Sequence, residues 1–218
     1  IEAAVAKGRR ILFLPPYRGE TRSTMSRLLG IRADRLASYA SAELARAVVA
    51  LREVKEPAEI EEIERACETA GKMHRLAMRM CRPGITERGI ARGIDGVVLY
   101  HGAGVSFPAI VTQHGETLHN HDYDHVLQSG RLMLIDAGAE TAMNYCSDFT
   151  RTFPVNGRFT GRQKDVYDIV LAANDRTFEL AGPDTFYYRM HNEASMVIAE
   201  GLKSLGLMRG NMQDAVGV

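Results

Sequence analysis

The sequence has few cysteines, no net charge and no long apolar run, and each shortage excludes a class of protein. Its three cysteines, Cys67, Cys81 and Cys146, are too few and too scattered for a disulfide framework or a thiolate zinc site. The 27 basic residues balance the 27 acidic ones, so no overall field attracts nucleic acid or acidic membranes. No apolar stretch approaches the roughly 20 residues of a membrane span. We therefore expect a cytoplasmic protein with neither nucleic-acid nor membrane partners.

The composition is that of an ordinary globular protein, because 45% of the 218 residues are hydrophobic and 25% are charged. Disorder, collagen and coiled coil are excluded as the global class. The chain opens on Ile1 rather than methionine and stops shortly after an apparent helix end near residue 206. We expect an internal piece of a longer protein, truncated at both ends.

The pattern of the first 50 residues indicates the C-terminal part of an α/β domain. Residues 10–14 are an apolar run that stops at Pro15, which predicts a buried strand. Ser41 is placed to cap a helix that carries apolar residues as far as Leu51. The charged run of residues 52–57 marks a boundary. We therefore divide the chain into residues 1–50 and 51–218.

Helical periodicity dominates the ends of the second region. Pro57 suits the first turn of a long amphipathic helix, and Thr86 is placed to cap a second one. Thr160 and Gln163 have the spacing of a capping box, in which a hydroxyl and an amide each satisfy a free backbone N–H. Two further helices are expected after residue 160.

Between these helices the apolar period changes to two. The alternation predicts strands over residues 107–111, 131–135 and 145–153, and the short connection between the last two indicates an antiparallel pair. The order of helices, strands and helices predicts an α+β fold, in which helices cover one face of a curved, mainly antiparallel sheet.

Two aspartates carry the most informative chemistry. Asp136 ends an apolar strand, and Asp148 lies in an apolar part of the next strand, so the two can approach one another across the hairpin. Close carboxylates repel or share a proton unless a divalent cation lies between them. Alternatively, Asp136 opens a turn and Asp148 pairs with Arg151. An aspartic-protease site fits poorly, because Ala137 lacks the hydroxyl that such sites use.

A histidine-rich loop precedes these strands. Asp122 and Asp124 are interleaved among the four histidines, whose spacing matches no closed zinc-finger pattern: His114, His119, His121 and His125. Histidine beside acid in a polar loop indicates metal ligands, a proton shuttle or a solvated loop. The residues alone leave these three readings open.

The aspartate region resembles a known family. Residues 134–140 read LIDAGAE and residues 145–157 read YCSDFTRTFPVNG, which is similar to the paired metal-binding motif of the creatinase/methionine-aminopeptidase superfamily. Within it the likeness is to Xaa-Pro aminopeptidases and the related prolidases, over about residues 50 to 210. The resemblance implies the first half of a pita-bread catalytic domain over residues 51–218, preceded by the end of a creatinase-like α/β domain. The connection between the aspartates is one residue longer than in familiar members, which predicts a bulge or a wider turn.

The resemblance also implies roles for individual residues. Asp136 would bind one metal with both oxygens, and Asp148 would bridge two metals. His119 would stand near the scissile bond, with His121 the weaker candidate for that place. Thr150 would orient the ligands from behind them. The implied cofactors are two divalent ions, manganese before cobalt, zinc or iron.

The implied activity is hydrolysis of the bond between an N-terminal residue and proline, by a hydroxide held between the metals. The substrate would be a peptide with proline at its second position, and family members often form homo-oligomers. Alternatives are an Xaa-Pro dipeptidase (prolidase) and a non-catalytic pita-bread binding protein. The family takes one more histidine and two glutamates as ligands from its C-terminal half, and nothing after His191 supplies them. These 218 residues alone are therefore expected to be inactive.

Overall fold

The computed structural model describes residues 1–102 and 104–217, which form two compact units, one over Ile1–Glu61 and one from Glu62 onward. The helices are α1 (Glu2–Ala6), α2 (Gly19–Leu29), α3 (Ala42–Arg52), α4 (Pro57–Met80), α5 (Glu87–His101), α6 (Gly161–Leu180), α7 (Tyr187–Ser204) and α8 (Met212–Val216), with a 3₁₀ turn at Leu36–Tyr39. The strands are β1 (Gly104–Val105), β2 (Ile110–Thr112), β3 (Leu132–Ala137), β4 (Ala139–Glu140) and β5 (Phe149–Pro154).

The first unit is helical, and the strand predicted over residues 10–14 is wrong. Within residues 1–61, as the structure describes them, no strand forms. The segment lacks a neighbouring ladder: the Ser41 N–H donates to the Phe13 carbonyl at 2.9 Å, which is one isolated bond. An apolar run becomes a strand only when its backbone groups find a partner. That residues 1–50 end an α/β domain stays a prediction.

The predicted helix caps are confirmed. The side chain of Ser41 accepts from the Leu44 N–H at the start of α3, and Thr86 accepts from the Gly89 N–H at the start of α5. At the start of α6 the Thr160 hydroxyl and the Gln163 side chain form both bonds of the capping box. Local sequence therefore determines where these helices begin.

The main sheet has three antiparallel strands in the order β2-β3-β5, and β1 pairs with β4 beside it. The predicted hairpin of residues 131–135 and 145–153 is confirmed, but its second strand begins only at Phe149. The first predicted strand is shifted to Ile110–Thr112. The mixture of helices and antiparallel strands confirms the α+β fold.

One face of the main sheet carries the core. Met133, Ile135 and Ala137 of β3 are fully buried and belong to one apolar cluster with residues of α4 and α5 such as Met73 and Ile94. The intervening residues of β3 are only half-buried, so they lie on the opposite, more open face. Among the described residues, no helix is both long and apolar enough to cross a membrane.

Candidate metal centre

The register of the β3–β5 hairpin places the two aspartates on one face. Asp136 lies opposite Thr150, and the same register reappears at an isolated bridge between Glu140 and Cys146. Asp148 is therefore the diagonal neighbour of Asp136, two positions from Thr150 on the same side of the hairpin. No extra residue intervenes between the strands, so the longer connection is a wider turn rather than a bulge.

The two carboxyl groups interact directly. Partial burial, then the charge of Asp136 and a hydrogen bond with its carboxyl, raise the pKa of Asp148 above the usual aspartate value. One oxygen of Asp136, Oδ1, is buried and has no hydrogen-bond partner among the described residues. Like charges in contact and a buried acceptor without a donor are both unfavourable. A divalent cation bound by oxygen ligands would remove both penalties, so the residues fit a metal ion.

The alternative in which Asp148 pairs with Arg151 is wrong. In the part of the chain that the structure describes, no ion pair joins these two residues. Arg151 lies opposite Ile135, one position along from the pair of Asp136 and Thr150, so it is on the face of the hairpin opposite to the aspartates. Its guanidinium lies over the ring of Phe149 and donates to the carbonyl of Thr150 at 2.8 Å.

Gly138 is a structural requirement that the sequence reasoning missed. A Cβ at this position would lie 1.8 Å from the carbonyl oxygen of Ser147, which no side chain allows. The Ser147 hydroxyl donates to the Ala66 carbonyl at 3.0 Å and accepts from the Ala139 N–H, and the Ser147 carbonyl accepts from the Ser106 hydroxyl at 2.7 Å. These bonds fix the residue before Asp148. A glycine at the end of a strand was the available signal for a close backbone approach.

His74 of α4 was also missed. It is buried, its Nε2 lies 3.3 Å from the Ala137 carbonyl, and its ring meets that of Phe149 edge-on. Burial lowers the pKa of His74, so the neutral form is favoured, and Nε2–H donates to the carbonyl. The signal in the sequence was the gap in the apolar stripe of α4 between Ala70 and Ala77, which His74 occupies.

The loop that carries the four histidines, residues 113–125, is exposed around its tip, and we call it the histidine loop. His119 has a positive φ of 52° and is exposed, as is His121. Within the described residues, no hydrogen bond or ion pair joins either histidine to Asp136 or Asp148. Thr150 is exposed on the aspartate face and directly opposite Asp136. The structure thus brings together Asp136, Asp148 and Thr150. The role of His119 beside them stays a prediction.

The aspartate face is open. A cavity of about 710 Å³ lies between the sheet and α6, lined among others by Leu132, Thr150, Thr152, Gln163 and Tyr167. Among the described residues, no group of three or more histidine, cysteine, aspartate or glutamate side chains is arranged to hold a metal. In the part of the chain that the structure describes, Asp136 and Asp148 are therefore two neighbouring carboxylates and not a complete set of metal ligands.

Comparison with known proteins identifies the family of this chain. The model of metallopeptidase family M24 matches residues 61–215. The chain belongs to this family. The M24 chain is 36% identical to the Xaa-Pro aminopeptidase of Escherichia coli strain K12 over 169 residues, which are 76% of this chain and 38% of that protein.

Solved structures agree with the family and confirm the pita-bread fold. A variant of Escherichia coli aminopeptidase P in complex with substrate has a TM-score of 0.73 and 36% identity, over 77% of this chain and 38% of that one. Proline aminopeptidase P II from Yersinia pestis has the same TM-score of 0.73 and 37% identity, over 77% and 39%. The M24 chain thus spans about two fifths of the length of these three relatives.

Proposed function

We propose that this chain forms the first half of the catalytic domain of an Xaa-Pro aminopeptidase, which releases an N-terminal residue that precedes proline. The observation that carries the proposal is the β3–β5 register, which places Asp136 and Asp148 side by side on the open face of the hairpin, while Oδ1 of Asp136 is buried without a hydrogen-bond donor among the described residues. The names of the relatives, Xaa-Pro aminopeptidase and aminopeptidase P, support this substrate over the dipeptides of a prolidase.

Asp136 and Asp148 would be the residues of this chain that hold the two divalent ions. Such ions polarise a carbonyl and lower the pKa of a bound water towards neutrality. The chain contributes rigidity: β3 is anchored by its buried residues, and Ser147 fixes the backbone beside Asp148. Thr150 would orient Asp136 from across the hairpin, and His119 would contact the substrate near the scissile bond.

The decisive experiment assays the complete product of the reading frame that contains this sequence, loaded with Mn²⁺, on Xaa-Pro-Xaa peptides. We expect release of the N-terminal residue from these peptides and none from matched Xaa-Ala-Xaa peptides. Asp148→Asn should lower kcat/KM at least about 1,000-fold, because several kcal/mol of charge stabilisation is lost. Asp165→Asn, an exposed aspartate on α6, is the matched control and should retain wild-type kinetics.

Two results would contradict the proposal: no proline-dependent release by the wild-type protein, or unchanged kinetics in Asp148→Asn. Release of proline only from dipeptides would favour the prolidase alternative. Metal binding without any hydrolysis would favour the non-catalytic binding protein.

Three finer points belong to the same proposal. Manganese is the expected metal, with cobalt, zinc or iron as alternatives, and metal analysis of the purified protein distinguishes them. A homo-oligomer is expected, which sedimentation measures. A cytoplasmic location is expected from the free thiols, and cell fractionation tests it.

A further inference from the structure

A buried carboxylate outside the metal centre has no role in the chemistry described so far. Glu87, the first residue of α5, is fully buried, as is Thr112 at the end of β2. A buried charge is unfavourable unless hydrogen bonds compensate it, so its retention at this position requires an explanation.

Both oxygens of Glu87 are used, and they bind the two ends of one loop. Oε1 accepts from the Thr112 hydroxyl at 3.1 Å and from the Gln113 N–H at 2.8 Å. Oε2 accepts from the ring Nδ1–H of His125 at 3.0 Å and, at 3.4 Å, from its backbone N–H. This loop is the histidine loop of residues 113–125, and His119 lies at its middle.

Further contacts around Glu87 also join the two ends of the histidine loop. Thr112 Oγ1, which donates to Glu87, also accepts from the N–H of His114 at 3.0 Å. The rings of His114 and His125 are in contact, with centroids 4.6 Å apart. The N–H of Glu87 itself donates to the His125 carbonyl at 3.0 Å. The carboxylate therefore joins the outgoing and the returning arms of the loop at its base.

We propose that Glu87 is a positioning residue for His119: it closes the base of the histidine loop and thereby limits where the loop presents that histidine. The catalytic part of this inference rests on the proposed function, in which His119 contacts substrate. A carboxylate suits the task, because it accepts four hydrogen bonds at once and lies at a helix N-terminus, where negative charge is favourable.

Glu87→Gln in the complete protein tests the inference. The amide keeps the volume and can accept from Thr112 and Gln113, but its NH₂ group then faces the donors of His125. Hydrogen–deuterium exchange over residues 113–125 should accelerate about tenfold, while exchange in β3 and β5 stays unchanged. Mn²⁺ affinity should change less than about twofold, and kcat should fall about tenfold with little change in KM.

Asp124→Asn is the matched control, because it removes a carboxylate from the same loop whose pair with Arg88 is exposed. It should leave both exchange and kcat at wild-type values. If Glu87→Gln does not fold, His125→Ala removes only the ring contact and should give the same changes at reduced size.

Unchanged exchange in the loop, or an equal acceleration in β3 and β5, would overturn the positioning role, since the latter is global destabilisation. Faster loop exchange with unchanged kcat would also overturn it. A wild-type protein without Xaa-Pro activity would contradict the proposed function instead, and exchange alone would then decide whether Glu87 holds the loop.

Discussion

The two faces of the hairpin formed by β3 and β5 differ in what they contribute. On the covered face Met133 and Ile135 are fully buried beneath α4 and α5. On the open face Asp136 and Asp148 are neighbours, and partial burial together with the charge of Asp136 raises the pKa of Asp148. One strand thus supplies stability through alternate residues and carries the chemistry through the residues between them.

This difference teaches how a carboxylate pair is kept in an unfavourable arrangement. The apolar residues of β3 hold the backbone of Asp136 in place, and the β3–β5 register holds the backbone of Asp148 beside it, so these two backbones cannot separate without disturbing the core. The repulsion is a cost of the fold that a bound cation would remove. Four predictions test the division between the faces, beginning with the largest expected effect.

Truncating a side chain on the covered face should lower the free energy of unfolding far more than truncating one on the open face. Ile135→Ala should lower the free energy of unfolding by about 4 kcal/mol, because it leaves a cavity in the core. Leu134→Ala, the adjacent half-buried residue on the open face, should cost about 1 kcal/mol. Urea denaturation of both variants measures the contrast, and equal losses would show that the faces do not differ.

Adding one methyl group where β3 ends, at the close approach of Gly138 to the Ser147 carbonyl, should have the next largest effect on stability. Gly138→Ala should lower the free energy of unfolding by about 3 kcal/mol, because the new Cβ meets the Ser147 carbonyl and the backbone must move. Gly96→Ala on α5 is the control, since a Cβ there contacts nothing within 4 Å. An unchanged denaturation midpoint in Gly138→Ala would contradict the close approach.

Changes on the open face should affect metal binding more than stability. Thr150→Val should weaken Mn²⁺ binding about tenfold, if the hydroxyl orients Asp136 from across the hairpin. Thr152→Val, one pair further along the same face, is the matched control. Titration calorimetry compares them, and equal affinities would remove Thr150 from the site.

The smallest effect concerns the metal-free protein. Folding raises the pKa of Asp148, so the folded state binds this proton more readily than the unfolded chain does. The charged form therefore lowers stability at neutral pH, and this penalty is relieved as the pH falls through the raised pKa.

In chelator-treated protein, Asp148→Asn should thus be slightly more stable than wild type at pH 7. The difference should vanish below the ordinary pKa of aspartate. Thermal unfolding across this pH range measures it. A variant that is less stable than wild type at pH 7 would show that the carboxylate has a favourable partner.

Much of this fold follows from local patterns. The caps at Ser41, Thr86 and Thr160 depend on residues at most three positions away, and all three were predicted. Residues 10–14 have the composition of a strand, but a strand needs a partner, and local pattern does not say whether one is near. The predicted strand over residues 145–153 was too long at its start for a related reason, since pairing near Cys146 is reduced to a single bridge.

The candidate site was predicted in part. The strand pattern placed the two aspartates on neighbouring strands, and the family resemblance added Thr150. The structure brings these three residues together, and their role in a metal site stays a prediction. Gly138, His74 and Glu87 were missed, because their importance comes from contacts with residues that are distant along the chain or from the close approach of another backbone segment.

The amino acids themselves placed Asp136 at the end of an apolar strand, but residues 132–135 are apolar at every position and so do not show which face Asp136 occupies. Only the tertiary structure decided which residue of the second strand would stand beside it. A shift of register by one residue would have turned Asp148 to the opposite face, and that register results from Ser147 and Gly138 closing against one another. Periodicity is a property of the chain, whereas register depends on contacts that exist only once the chain has folded.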